Sequence, residues 1–206
     1  MAYNSFTINQ VCKQFGMQVQ EEPNLFPQIS PIAPSETMQM LLSRYIPLAE
    51  AIGTEKAKSE FIVAPLLAEL RELAHHQISL FSGVEFNIDE QQGLNGRCDY
   101  IISHSSLQFT LNAPILMMVE AQNDNINSGL GQCMAEMVAA QIFNHQEGFE
   151  TVIYGCVTTG SIWRFLQLED NIIKIDDKQY FIETPEILLG ILMRISSMMP
   201  LMNSRN

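Results

Sequence analysis

Glu120 and Gln122 stand one residue apart at the mouth of the apolar run ILMMVEAQNDN, residues 115–125. On a strand, residues separated by two share a face, so the carboxylate and the carboxamide would open into one cleft. A carboxylate is a hard oxygen ligand suited to Mg²⁺ or Mn²⁺. A carboxamide donates and accepts hydrogen bonds but cannot take a proton as a base. Two further acids, Asp99 in GRCDYII and Glu60 in KSEFIV, lie on other elements from which they could meet Glu120. A divalent cation held among them would lower the pKa of an attacking water and offset charge on a phosphoryl oxygen. The same spacing also arises where polar strand ends simply reach solvent, and spacing alone does not choose between these readings.

The elements that must position these residues are legible in the hydrophobic pattern. SFTINQVCKQFGM, residues 5–17, reads as a short amphipathic helix, and the proline-bearing EEPNLFPQISPIAPSE as an irregular linker. A second helix follows, with Ser35 or Thr37 as cap and a bend or stop at Pro47. A third runs from about Thr54 to Ala74, capped by Thr54 and kinked by Pro65. Its Glu60 borders an apolar side made of Phe61, Leu66, Leu70 and Leu73. The period then changes to that of strands in QISLFSGVEFNID and GRCDYIIS, with an irregular edge in HSSLQFTLNA. APILMMVEAQ is nearly continuous in apolar residues, as expected of a strand covered on both faces. SGLGQCMAEMVAAQIFNHQ is a helix, TVIYGCVTTG and IWRFLQLED are strands, and NIIKIDDKQYFI continues in strand-like segments. A last helix begins at Thr184–Pro185. This order predicts an α/β or α+β sheet domain with a buried central strand.

Composition narrows the function. The 206 residues carry 11 basic and 23 acidic side chains, a formal charge of −12, which repels a phosphate backbone unless cations gather locally. Cys12, Cys98, Cys133 and Cys156 are scattered without a zinc or disulfide framework, which suits a reducing compartment. The first residues lack the pattern of a signal peptide, and no run approaches the roughly 20 apolar residues of a membrane span. A soluble cytoplasmic protein is the expectation.

On the residues quoted above, the chain resembles the PD-(D/E)XK nuclease superfamily, whose fold is restriction-endonuclease-like, and within it small cyanobacterial-type proteins of unassigned activity. Glu60 matches a glutamate of the helix before the sheet, Asp99 the aspartate of the second core strand, and Glu120 the acid of the (D/E)-x-K element. Gln122 stands in place of that element's lysine. Gln132 in SGLGQCMAE is similar to a glutamine on the following helix, and VIYGCVTTGSIWRFLQL to the adjoining strand pair. The likeness covers about residues 50–200. It implies a central mixed sheet flanked by helices over residues 51–206, with an N-terminal helical extension, residues 1–50, packed on it. It also implies Mg²⁺ or Mn²⁺ at Glu60, Asp99 and Glu120, and a catalytic set of Asp99, Glu120, Gln122 and Gln132. DNA is the implied substrate and a homodimer the implied assembly. The departure is the neutral Gln122 where the pattern has a cation.

Other residues read more plainly. Arg97 would contact phosphate or pair with Asp99, and Arg164 is the other candidate to replace the missing cation. Ser128, Gly129 and Gly131, ahead of a helix, would leave amides facing a phosphate, although no nucleotide P-loop pattern is present. Glu136, one turn beyond Gln132, would join the acidic cluster or sit at its rim, and the rim is the favoured reading. His75 and His76 would serve the end of the third helix, while Trp163, Phe165 and the Met-rich segments belong to packing. Three function classes follow: a Mg²⁺-dependent DNA phosphodiesterase, a catalytically silent relative working as an interaction or dimerisation module, and an unrelated small-molecule-binding domain.

Overall fold

The computed structural model describes residues 2–198 together with the backbone of Leu201–Met202. After a 3-10 turn, Tyr3–Ser5, come α1 (Ile8–Phe15), β1 (Gln18–Glu22) and α2 (Glu36–Ile52). A single winding helical stretch follows, made of α3 (Glu55–Lys58), a π turn (Ser59–Val63) and α4 (Ala64–Leu73). The remaining elements are β2 (Ser79–Glu85), β3 (Arg97–Ser103), β4 (Ile115–Ala121), α5 (Ile126–Gln146), β5 (Phe149–Glu150), β6 (Ile153–Thr158), β7 (Ile162–Glu169), β8 (Ile172–Asp176), β9 (Tyr180–Phe181), α6 (Pro185–Ser196) and β10 (Leu201–Met202).

The main sheet has the order β1-β8-β7-β6-β4-β3-β2, with β9 beside the start of β7. It is mixed: β4–β6 and β1–β8 are parallel, and the other neighbours in the order are antiparallel. Every residue of β4 is buried, which accounts for its continuous apolar run. One face of the sheet packs under α2, the π turn, α4 and α6, through residues such as Leu42, Ile62, Leu66, Leu70 and Leu192 against Val119 and Phe165. The other packs under α5 and the N-terminal segment, through Met134, Met137, Tyr3 and Phe6 against Met118 and Val157. The protein is thus a mixed α/β fold, a central sheet between two helical layers. Trp163 and Phe165 are buried in it, as their alternation predicts.

The caps follow local chemistry. Ser35 Oγ accepts from Met38 N at 3.1 Å and Thr54 Oγ1 from Ala57 N at 3.2 Å, satisfying amides that have no helical partner. Thr184 occupies the N-cap of α6, but its hydroxyl donates to Phe181 O at 3.1 Å instead of capping. The helix expected to stop or bend at Pro47 continues to Ile52 and ends at Gly53, whose φ of 71° is left-handed. Pro65, expected to kink the third helix, instead follows the π turn, where Ala64 N–H reaches back five residues to Ser59 O.

Two features were not expected from the pattern. β1 occupies a stretch to which no element was assigned, and it joins the sheet edge beside β8, Gln18 opposite Ile172. At the opposite edge, the carboxamide of Gln108 accepts from Leu80 N at 3.1 Å and donates to Leu80 O at 2.6 Å, capping part of an otherwise open strand.

A second carboxamide ties α5 to the sheet. Asn144, only 1% exposed, accepts from Ile115 N at 2.7 Å and donates to Ile115 O at 2.8 Å. Asn144→Leu keeps the branched skeleton and strands both backbone groups, so a loss of about 1–3 kcal/mol is expected. Urea denaturation of the two proteins at one pH measures it, and coincident curves would contradict the role. Among the described residues no helix is long and apolar enough to cross a membrane.

Candidate active site

The site lies where β4 ends and α5 begins. Beyond β4, Gln122 N–H donates to Thr158 O at 2.8 Å and so continues the parallel pairing with β6. The preceding amide, Ala121 N–H, donates at 2.8 Å to Oδ2 of Asp99, because the paired residues of β3 and β4 end at Tyr100–Val119. Asp99 therefore finishes the ladder with its side chain. Burial pushes its carboxyl above the usual carboxylate range, and the Ala121 hydrogen bond opposes this.

Strand parity places Glu120 and Gln122 as expected: Gln122 Nε2 donates to Glu120 Oε1 at 3.1 Å. The Ser128 hydroxyl lies 3.0 Å from Gln122 Oε1 and 2.6 Å from Asn125 O, and its one proton serves one of them at a time. Gln132 Nε2 donates at 3.2 Å to Oε1 of Glu136, one turn along α5. Cys98 of β3 lies beside the same carboxyl and acts to lower its pKa.

Glu136 is not at a rim. It is 0% exposed, and Glu120 only 4%. Both carboxyls are pushed well above the ordinary range, first by burial. For Glu120 the charges of Glu136, Asp99 and Glu55 add to this, against the Gln122 hydrogen bond. For Glu136 the hydrogen bond from Gln132 and the neighbouring Cys98 oppose it, while Asp99 adds to it. Each carboxyl keeps one buried oxygen without a partner, Glu120 Oε2 and Glu136 Oε2. Without a cation, two such groups are held neutral by protons.

The structure thus brings together Asp99, Glu120 and Gln122, and joins to them Glu136 with its partner Gln132. Glu60 is turned elsewhere: it is 55% exposed at the side chain, with Oε1 2.6 Å from Lys56 Nζ. The acid of the same helical stretch that faces the cluster is Glu55. Its carboxyl is raised by partial burial and by Asp99, and lowered by the backbone N–H of Asn123. Lys58, on the same turn, donates from Nζ to Asn123 O at 2.7 Å and lies 3.4 Å from Asp124 Oδ1.

Two further expectations are corrected. Arg97 pairs with Glu85, its cross-strand neighbour on β2, at 3.4 Å and not with Asp99. Ser128, Gly129 and Gly131 lie inside the first turns of α5, so they do not form a loop with free amides. Gly129 is there for packing, since a Cβ would fall 2.8 Å from both Gln122 Cγ and Val157 Cγ1. Gly129→Ala is therefore expected to displace Gln122 from Glu120 at a cost of about 1–3 kcal/mol. A lower melting temperature together with altered Gln122 side-chain amide shifts by NMR would show it, and unchanged shifts would count against it.

Pattern reading favours the rim for Glu136, and it misses Glu55 and Lys58. A signal for the first exists: CMAEMVAA is apolar around the whole helix, which marks a helix covered on all sides. α5 is so covered, by the sheet and by α1 with the 3-10 turn.

Among the described residues no three His, Cys, Asp or Glu side chains form a group that would hold a metal ion by themselves. Mg²⁺, however, is commonly held by one or two carboxylates with water and substrate oxygens completing its shell. Glu120 and Glu136, each with an orphaned buried oxygen, fit a site of that kind. A hollow of about 570 Å³ lined by Gln141, His145, Glu169 and Asp170 lies at the other end of α5 and contains none of the expected site residues. A scan against models of known families and a search of curated proteins both return no match for this chain.

Proposed function

We propose that the chain is a Mg²⁺- or Mn²⁺-dependent phosphodiesterase acting on DNA, built on a restriction-endonuclease-like fold of PD-(D/E)XK type with Gln122 in the lysine position. The observation that carries the reading is the meeting of Asp99 and Glu120, from neighbouring strands, in one buried acidic cluster at the end of the central strand. Asp99 and Glu120 would hold the cation. When bound, it supplies a more acidic water and a positive charge for the phosphoryl oxygens.

The chain's own groups then have defined tasks. Gln122, fixed between Ser128 and Glu120, orients a water or a phosphoryl oxygen through its carboxamide. Gln132 holds Glu136. Lys58 brings positive charge to the Asn123 peptide beside Gln122, while Arg164 Nη1 lies 3.4 Å from Asn127 Oδ1 at the start of α5. These few cations must draw a polyanion to a protein of charge −12, so binding is expected to weaken steeply with salt. A homodimer would let two such sites address both strands of a duplex.

A second reading, a silent relative serving as an interaction or dimerisation module, is favoured by the enclosure of Glu120 and Glu136 and by the neutral Gln122. Incubation of the purified protein with linear, nicked and single-stranded DNA in Mn²⁺ decides between them. Glu120→Ala serves as the control for contaminating nucleases. Cleavage by the wild type alone supports the phosphodiesterase; equal cleavage by Glu120→Ala, or none by either, removes it.

A further inference from the structure

Glu136 has no place in the expected ligand set, yet it is the most enclosed acid of the cluster. Both it and Glu120 are more than nine-tenths buried, and each has one oxygen bonded by a glutamine and one bonded by nothing. The pairing is symmetrical in kind: Gln122 Nε2 holds Glu120 Oε1, and Gln132 Nε2 holds Glu136 Oε1. No hydrogen bond joins the two carboxyls to each other. An orphaned buried oxygen is costly, and two of them on neighbouring acids are costlier still unless something positive or hydrogen-bonding sits against them.

Helix α5 has no conventional reason to carry an acid there. Residues around it on the helix, Cys133, Met134, Ala135, Met137 and Val138, are buried and apolar. A Gln or Met at 136 would fill the space without a charge. The pair of carboxamides is also suited to holding two carboxylates apart at fixed orientation while leaving one lone-pair face of each open.

We propose that Glu136 of α5 and Glu120 of β4 form a two-carboxylate seat for a divalent cation, with Glu120 Oε2 and Glu136 Oε2 as the ligating oxygens and Gln122 and Gln132 as positioning residues. The seat rests on the metal-dependent reading above and deepens it: Glu136 from the helix, and not Glu60, joins Glu120 and Asp99 around the cation. Hard oxygen donors select Mg²⁺ or Mn²⁺ over softer ions.

Titration calorimetry of the full chain with MnCl₂ tests the seat, comparing wild type, Glu136→Gln, Glu136→Asp and Glu60→Gln. Expected are a more than about tenfold loss of affinity in Glu136→Gln, the smallest effect usual even for groups that only support a ligand. Partial recovery in Glu136→Asp and no change in Glu60→Gln complete the expected pattern. Wild-type affinity in Glu136→Gln, or no Mn²⁺ binding by the wild type at millimolar concentration, overturns the proposal. Should Glu136→Gln fail to fold, Mn²⁺-induced broadening of wild-type amide resonances replaces it. Broadening centred on residues 119–121 and 135–137 supports the seat, and broadening confined to surface acids such as Glu60 overturns it. No DNA is present in these measurements, so a chain that seats Mn²⁺ at Glu136 and leaves DNA intact ends the phosphodiesterase reading and not the seat.

Discussion

A variant carrying Glu120→Gln and Glu136→Gln is expected to be more stable than the wild type at pH 8 and to lose that advantage near pH 4. The sign follows from the proton count. Both carboxyls are raised in the folded protein, so between the unfolded value of about 4.3 and the raised folded values the native state holds more protons than the unfolded chain. Stability then falls as pH rises through that window, and it is fully retained only below it. Glutamine removes the titration and still offers an amide oxygen to accept the hydrogen bonds from Gln122 and Gln132. The expected gain at pH 8, without divalent cations, is on the order of a few kcal/mol. Urea midpoints at pH 4, 6 and 8 measure it. Parallel pH profiles for the two proteins would mean that the acids are charged and solvated, contrary to their burial. Added Mn²⁺ should narrow the difference, because a ligand of the native state stabilises only the protein that binds it.

Gly131→Ala is expected to destabilise the fold by about 2–3 kcal/mol, although alanine is the better helix former by about 1 kcal/mol. A Cβ at this position of α5 would lie 2.2 Å from Phe6 O and 2.8 Å from Thr7 Cα. Those are backbone atoms with no freedom to retreat. Tyr3 N donates to Asn95 O at 3.1 Å and the Tyr3 hydroxyl to Phe86 O at 2.7 Å. On the other side Thr7 is locked to Gln10 by a capping box. The N-terminal segment must therefore leave α5 or α5 must leave the sheet, and either exposes Tyr3 and Phe6, now buried. A lowered urea midpoint with increased amide exchange in residues 3–11 is the expected result. An unchanged midpoint would mean that the crossing of these two backbones is looser than the contact distances require.

The acidic cluster shows where pattern reading stops. Glu120 and Gln122 were legible as neighbours because strand parity is local: two residues, one face, one hydrogen bond. Glu60 and Glu55 belong to one helical stretch, and choosing between them required knowing which turn points at β4. The local clue was present, since Lys56 precedes Glu60 by four and takes it as an ion pair. The π turn beginning at Ser59 also departs from the 3.6-residue period on which such a choice would rest. Arg97 and Asp99 share a strand face by spacing, but the partner of Arg97 is set by cross-strand register, which places Glu85 opposite it. Glu136 was read as a rim residue because an acid in a helix is usually solvated. The packing of α5 on β3 and β4, with Tyr3 beside it, puts it inside.

Hydrophobic periodicity, caps and turn residues act over a few positions, and so the amino-acid order alone determined most elements and their succession, the buried central strand and the long helix after it, but not β1 or the π turn. Which acids meet, which oxygens remain without partners and which lysine stands beside Gln122 were decided by the tertiary structure. Those outcomes depend on register and helix placement between residues far apart in the chain. They depend also on the removal of water, which raises the cost of every carboxylate enclosed with another.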